Sequence, residues 1–262
     1  MKPFENKVAL ITGSGRGIGR AIALHFAAAG ADVAVNFFRN RAPAEETAEA
    51  IRQLGRRAWV IKADVGDLAD IERMFGELDA HLAQVGLPPG LDFLIHNAAS
   101  GYNRPALQQK ERGWDWTMNI NARSLLFMAQ QAAPRMQARR GGAIVSITSP
   151  GSRRVLPNYV AVGASKAALE ALTRYLAVEF APANIVVNAV SPGVVLTEAL
   201  KHFEQYASQE SIIEKATAGT PAGRLATPED VAGVVAFLCS PAGFMLRGQI
   251  LELDGGALLL GR

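Results

Sequence analysis

Seven short apolar runs alternating with helical patterns narrow most sharply what this chain can become. The runs lie near 7–11 (KVALI), 32–37 (DVAVNF), 58–62 (AWVIK), 91–96 (LDFLIH), 143–148 (AIVSIT), 185–190 (IVVNAV) and 249–253 (QILEL). They are continuous rather than alternating, as expected of strands covered on both faces of a parallel sheet. Helical patterns near 18–29, 43–54, 67–84, 114–139, 158–180 and 228–239 lie between them. That order predicts an α/β fold, a doubly wound, seven-stranded parallel sheet in a three-layer αβα sandwich with right-handed crossovers. No repeat or long linker interrupts it, and GLPPG (86–90) is only a turn, so 1–262 reads as one domain.

Several classes of function are disfavoured. The net charge is +3, and the arginine pairs Arg56-Arg57, Arg139-Arg140 and Arg153-Arg154 are scattered, which argues against nucleic acid. MKPFENK followed by the short run VALI is neither a signal peptide nor a membrane span, and no later run is long enough for one. The single cysteine, Cys239, cannot form an internal disulfide and fits a reducing, cytoplasmic setting. It sits in VVAFLCS and reads as a packed thiol. No metal site is expected.

The first run leads straight into TGSGRGIG (12–19) and then a helix starting near Ile18. Glycines there let a backbone approach a pyrophosphate and leave the helix N-terminus free for its charge. The spacing is not G-x-G-x-x-G, because position 18 is Ile, so the evidence lies in the turn together with its strand–helix setting. An NAD-preferring site would carry Asp or Glu at the carboxyl end of the second strand. Here that end reads NFFRNR, and Asp32 lies at the other end. Arg39, Arg41 and Arg16 are available instead for a 2′-phosphate, which favours NADPH. Asp64 and Val65 follow the third strand, where an adenine edge could be read. Asp64 could equally cap the next helix.

PNYVAVGASKAALEAL (157–172) carries the candidate chemistry. Pro157 suits the start of a helix and Asn158 could cap it. Tyr159 and Lys166 are seven apart, ~20° short of two full turns, so they share one face. A phenol held beside an ammonium is expected to have a lowered pKa and to serve in acid–base work.

Together these segments identify a resemblance. TGSGRGIG (12–19), NAAS (97–100), the asparagine within NINARSLLF (119–127), SITSPGS (146–152), the Tyr-to-Lys helix and VNAVSPGVVLT (187–197) occur in the order seen in short-chain dehydrogenases/reductases, over essentially the whole chain. The resemblance implies a Rossmann sheet in which the turn with Gly13, Ser14, Arg16, Gly17, Ile18 and Gly19 takes the cofactor phosphates. It implies that Asn97 and Ala98 lie against the cofactor and that Lys166 binds the nicotinamide ribose. Pro192, Gly193, Val194 and Thr197 would flank the nicotinamide. Asn121 would support the lysine through water, or simply bond backbone at a helix kink. Ser149 stands where carbonyl-reducing relatives keep a substrate-orienting serine.

One departure matters. Most of the family carries Tyr-x-x-x-Lys, but the residue four before Lys166 is Val162, which has no proton to give. The Tyr-(x)6-Lys spacing, with WDWTMNINA (114–122), ALKHF (199–203), TPAGR (220–224) and RGQ (247–249), resembles the NADPH-dependent type III enoyl-acyl-carrier-protein reductases of bacterial fatty-acid synthesis. The implied reaction adds hydride to C3 of a trans-2-enoyl thioester, with Tyr159 at the enolate oxygen. A carbonyl reductase acting on a 3-oxoacyl thioester or other ketone is the nearer rival, and a non-catalytic NADPH-binding protein the more distant one. Of the other tyrosines, Tyr102, Tyr175 and Tyr206, none combines position and face.

Residues 196–220 read either as a lid over an acyl chain or as an amphipathic helical pair. Lys201, His202 and Lys215 could meet an acidic acyl carrier protein. His96 reads as a satisfied strand residue. The apolar tail LDGGALLLG suggests a subunit contact, and a homotetramer, or at least a dimer, is expected.

Overall fold

The computed structural model describes residues 2–197 and 209–260. Seven strands form one parallel sheet: β1 (Val8–Ile11), β2 (Asp32–Phe37), β3 (Ala58–Lys62), β4 (Phe93–His96), β5 (Gly142–Ile147), β6 (Ile185–Pro192) and β7 (Ile250–Leu253). Their order across the sheet is β3-β2-β1-β4-β5-β6-β7, and every neighbouring pair runs parallel. The chain winds outward from β1 to β3, then crosses back to place β4 on β1's other side. The crevice at the carboxyl ends of β1 and β4 is therefore the switch point, where such sheets bind ligands.

The helices are α1 (Gly17–Ala28), α2 (Ala42–Gln53), α3 (Leu68–Gln84), α4 (Glu111–Met118), α5 (Ser124–Ala138), α6 (Val160–Glu179), α7 (Gln209–Ala218) and α8 (Pro228–Cys239). On one face of the sheet, Ile22 and Phe26 of α1, Ile51 of α2 and Val235 of α8 pack into one core cluster. On the other, Phe75 of α3, Met128 of α5 and Leu169 of α6 pack into a second. Both faces are covered, which is why the strands lack polar alternation. Each predicted strand is present within two residues of its expected bounds.

Two helical boundaries differ from expectation. The pattern read as one helix over 114–139 is two helices joined by a π turn, Asn119–Arg123, centred on Asn121. One extra residue in a turn leaves the apolar period on either side intact, so periodicity does not report it. The helix expected from 158 begins at Val160 with Tyr159 as its N-cap, not Asn158, and no side chain caps it. Asn158 instead takes a left-handed backbone (φ 61°). Among the described residues, no helix is long and apolar enough to cross a membrane.

Candidate active site

The glycine turn is built for close approach. Gly13 and Gly17 have φ of 62° and 54°, conformations that side-chain-bearing residues rarely adopt. A Cβ on Gly19 would lie 2.5 Å from Gly13 O and 2.6 Å from Asn97 Nδ2. The Thr197 side chain lies 3.6 Å from where a Cβ on Gly17 would stand, so the segment after β6 folds over the turn. Arg16 is the N-cap of α1, in extended backbone (φ −155°, ψ 172°), and its side chain does not cap the helix.

Several expected cofactor residues serve the turn itself. The Ser14 hydroxyl points inward, donating to Ile11 O at 2.7 Å, and is fully buried. Asn97 donates through Nδ2 to Thr12 O (2.9 Å) and Gly13 O (3.3 Å), so its amide nitrogen braces the turn. Ala98 N and Asn97 N both donate to Thr12 Oγ1. Thr12 and the buried Asn36, which accepts from Gly13 N at 3.2 Å, are bracing residues that sequence reasoning did not single out. A small polar residue ending a strand carries no distinctive signal.

At the end of β2, Arg39 lies over the Trp116 ring (5.6 Å), while Arg41 forms an exposed pair with Glu45 (2.8 Å). Such an exposed pair is weak and easily exchanged. Asp32 is buried at the start of β2 against Arg56 and Arg57, a structural role. Asp64 closes its own turn by accepting from Gly66 N (2.9 Å), and Asp67 caps α3 in its place. Val65 packs into the core at 5% exposure, so little of it faces a ligand.

Tyr159 and Lys166 meet the carboxyl end of β5 from α6. Lys166 is buried and donates to Ile147 O at 2.7 Å. Tyr159 OH donates to Ser149 Oγ at 3.4 Å. Ser149 Oγ also accepts from Gly151 N, so its two acceptor positions are used and its own O–H remains to donate. Val162, the residue one turn before Lys166, is buried, with its Cγ2 against the place a Gly101 Cβ would take. Asn121 bonds the backbone of Ser100 in both directions (2.8 Å each) and donates to Ser165 Oγ (2.9 Å), tying the π turn to α6.

The electrostatics correct one expectation. The Tyr159 phenol is not lowered. Burial raises its pKa, only partly opposed by the Ser149 hydrogen bond. It is therefore a protonated donor at neutral pH. Burial also lowers Lys166 to about 8, against the opposing pull of Glu170. His96 is held neutral at about 3, first by burial and then by the Lys166 charge. Its Nε2 faces Ser124 Oγ (2.7 Å), whose own proton goes to Ile120 O, so Nε2 carries the hydrogen. Nδ1 has no partner among the described residues, so His96 is only half satisfied.

Comparison with known proteins agrees with this fold. Residues 13–257 match the family model described as "Enoyl-(Acyl carrier protein) reductase". A hydroxynaphthalene reductase-like protein of Metarhizium robertsii is 36% identical, covering 98% of this chain and 97% of its own. The 7alpha-hydroxysteroid dehydrogenase of Escherichia coli is 34% identical, covering 97% and 95%. The structure of a 7α-hydroxysteroid dehydrogenase with NADH and 7-oxo glycochenodeoxycholic acid superposes with a TM-score of 0.88 at 34% identity, covering 97% and 94% of the two chains. That of the angucycline C-6 ketoreductase LanV with bound NADP gives 0.90 at 32%, covering 98% and 97%. The chain is a short-chain dehydrogenase/reductase.

In this short-chain dehydrogenase/reductase, Val194, Arg154, Lys215, Thr220, Leu225 and Asp254 are among the residues lining a cavity of about 270 Å³ beyond β6. Pro192 ends β6 buried, and Gly193 leaves room for Asp254, whose Cα would lie 3.0 Å from a Cβ there. Within the expected lid, Gln209–Ala218 form α7. Lys201, His202 and Tyr206 lie outside the described residues. Ile18 packs partly into the α1 face, the Tyr102 ring lies tilted against Trp116 (centroids 5.5 Å apart), and Cys239 is a buried thiol whose pKa burial raises.

The lowered Lys166 value sets a pH limb. If the ammonium is the working form, activity is full below that value and lost as pH rises through it. We expect kcat/KM to fall with an apparent pKa near 8. A profile flat to about pH 9.5 would show that the lysine charge is not required.

Proposed function

We propose that this protein is an NADPH-dependent enoyl-thioester reductase acting on trans-2-enoyl chains, with acyl carrier protein as the natural carrier. One observation carries the reading. The place one turn before Lys166 is filled by the buried side chain of Val162, and the only phenol at the β5 end among the described residues enters one turn earlier, from the helix cap. In ketone reduction, hydride lands on the carbon that bears the protonated oxygen. In conjugate reduction it lands two bonds further from that oxygen. Moving the phenol back by one turn adds a separation of ~4.5 Å along the axis, the size the longer acceptor needs.

The residues present fit a dinucleotide. Gly13, Gly17 and Gly19 clear space for a pyrophosphate at the start of α1. Arg39 and Arg16 suit a 2′-phosphate, and no acid stands at the end of β2 to prefer a free ribose hydroxyl. Lys166 would hold the ribose of the nicotinamide half, with Thr197 and Val194 covering it. NADPH, when bound, supplies the hydride. Tyr159, neutral because it is buried, donates a hydrogen bond to the thioester oxygen as negative charge builds there and can pass its proton to it. The Ser149 hydroxyl is a second donor for the same oxygen. A homotetramer accords with the exposure of Phe237, Phe244, Met245 and Leu259.

Carbonyl reduction is the second reading, and two observations favour it. Ser149 and Tyr159 are close enough to share one ketone oxygen, and the ketoreductase and hydroxysteroid dehydrogenase named above are its relatives. Crotonyl and acetoacetyl thioesters, each assayed with NADPH and NADH, separate the two. We expect crotonyl-thioester turnover with NADPH to exceed acetoacetyl turnover by roughly a hundred-fold or more. Preference for acetoacetyl would establish the carbonyl reading, and preference for NADH would remove the 2′-phosphate assignment.

A further inference from the structure

Tyr159 stands at the cap of α6, with non-helical dihedrals (φ −101°, ψ 12°), directly after the left-handed Asn158. The helix begins at its carbonyl, which accepts from Gly163 N, but does not hold its ring. The ring rests on the 3₁₀ turn Pro150–Ser152. A Cβ built on Gly151 would lie 2.5 Å from Tyr159 Cε1 and 2.6 Å from Cδ1. The phenol hydroxyl meets Ser149, just ahead of the same turn.

The far side of that turn is tied to one buried side chain. Glu170, 4% exposed, accepts from Ser152 Oγ (2.5 Å) and Thr148 Oγ1 (3.0 Å) on Oε1, and from Arg153 Nε (3.1 Å) on Oε2. It lies four residues after Lys166, one turn along the same helix. Arg153 continues to Glu252 of β7 (2.9 Å), linking the turn to the sheet edge.

We infer that Glu170 is a positioning residue of the reaction: it anchors the 149–153 turn, and through it the Tyr159 ring and the Ser149 hydroxyl, against the helix that carries Lys166. This rests on the reading of Tyr159 as the proton donor. A tyrosine inside a helix inherits its place from the hydrogen-bond ladder. One at the cap needs a wall, and here the wall is a three-residue turn fastened by a carboxylate. The same carboxylate supports the Lys166 charge against burial. The ionisable groups facing Lys166 are Glu170 on its own helix and the neutral His96 from β4. From β5 it meets the Ile147 carbonyl, and from the π turn the uncharged Asn121 bonds the adjacent Ser165.

Glu170→Gln keeps the volume but removes the charge and mismatches Arg153. We expect kcat to fall roughly ten-fold or more, NADPH affinity to change less than about three-fold, and the alkaline limb of kcat/KM to move down by roughly one pH unit. A merely structural ion pair would leave that limb in place. Ser152→Ala removes only one donor to the carboxylate and covers the case in which E170Q does not fold. Its kcat should fall roughly three- to ten-fold with the limb unmoved. A folded E170Q with wild-type kcat and pH profile, or S152A with wild-type kcat, overturns the inference. Tyr159→Phe is run alongside. If Y159F stays active, the assignment of Tyr159 falls and this inference with it; if Y159F is inactive while E170Q and S152A match wild type, only the role of Glu170 falls.

Discussion

Tyr159→Phe is expected to lower kcat roughly a hundred- to ten-thousand-fold, the usual worth of a positioned proton donor. NADPH affinity should stay near wild type, because the glycine turn and Lys166 are untouched. The phenol's whole polar contribution is one hydroxyl, and the ring that remains still packs on Gly151. Stability should therefore hardly change, which separates a chemical loss from a folding loss. Val162 and the exposed Tyr102 and Tyr175 offer no substitute donor at the β5 end. Steady-state kinetics on the preferred thioester, with cofactor titration by fluorescence, read both quantities. Full activity in the variant would mean that Ser149 or solvent supplies the proton.

Gly19→Ala is expected to be the most damaging single methyl in the chain for cofactor binding. Its Cβ would come within 2.5 Å of Gly13 O, 2.6 Å of Asn97 Nδ2 and 2.9 Å of Ser14 Cα, two of which are backbone atoms that cannot swing away. Relief requires moving the turn that faces the phosphates. Overpacking of this kind costs about 1–3 kcal/mol, or a melting temperature lower by roughly 3–10 °C in a chain of this size. NADPH affinity should weaken by roughly a hundred-fold, since the displaced backbone is the binding surface itself. Gly76→Ala is the control: a Cβ there, in the interior of α3, meets nothing within 4 Å. It should leave binding intact and stabilise the helix by up to about 1 kcal/mol. Equal NADPH affinity in G19A and wild type would mean that the phosphates bind elsewhere.

The sheet was legible because its physics is local and repetitive. Strands buried on both faces are spelled as apolar runs, and the glycine turn after β1 announces itself by the residue type that positive φ and close contact require. The pairing of Tyr159 with Lys166 was legible as a spacing. Its environment was not. A seven-residue interval does not say that the first residue lies at a cap, that its ring packs on Gly151, or that burial, only partly opposed by Ser149, raises the phenol. The internal bonds of Asn97 and Ser14 were hidden for a related reason. Their residue types suit a ligand, and no local pattern says that Asn97 Nδ2 also braces Thr12 and Gly13 or that the Ser14 hydroxyl donates to Ile11.

By itself the sequence determined the fold class, the strands to within two residues, the glycine turn after β1 and the absence of a phenol one turn before Lys166, because each depends on residue identity and short-range periodicity. Only the tertiary structure decided which polar groups are satisfied and what their charge states are. Thr12, Asn36 and Glu170 acquired their roles from partners between 17 and 86 positions away, gathered where α6, β5 and the ends of β1 and β4 converge. Desolvation and hydrogen bonding depend on that convergence, and no local pattern encodes it.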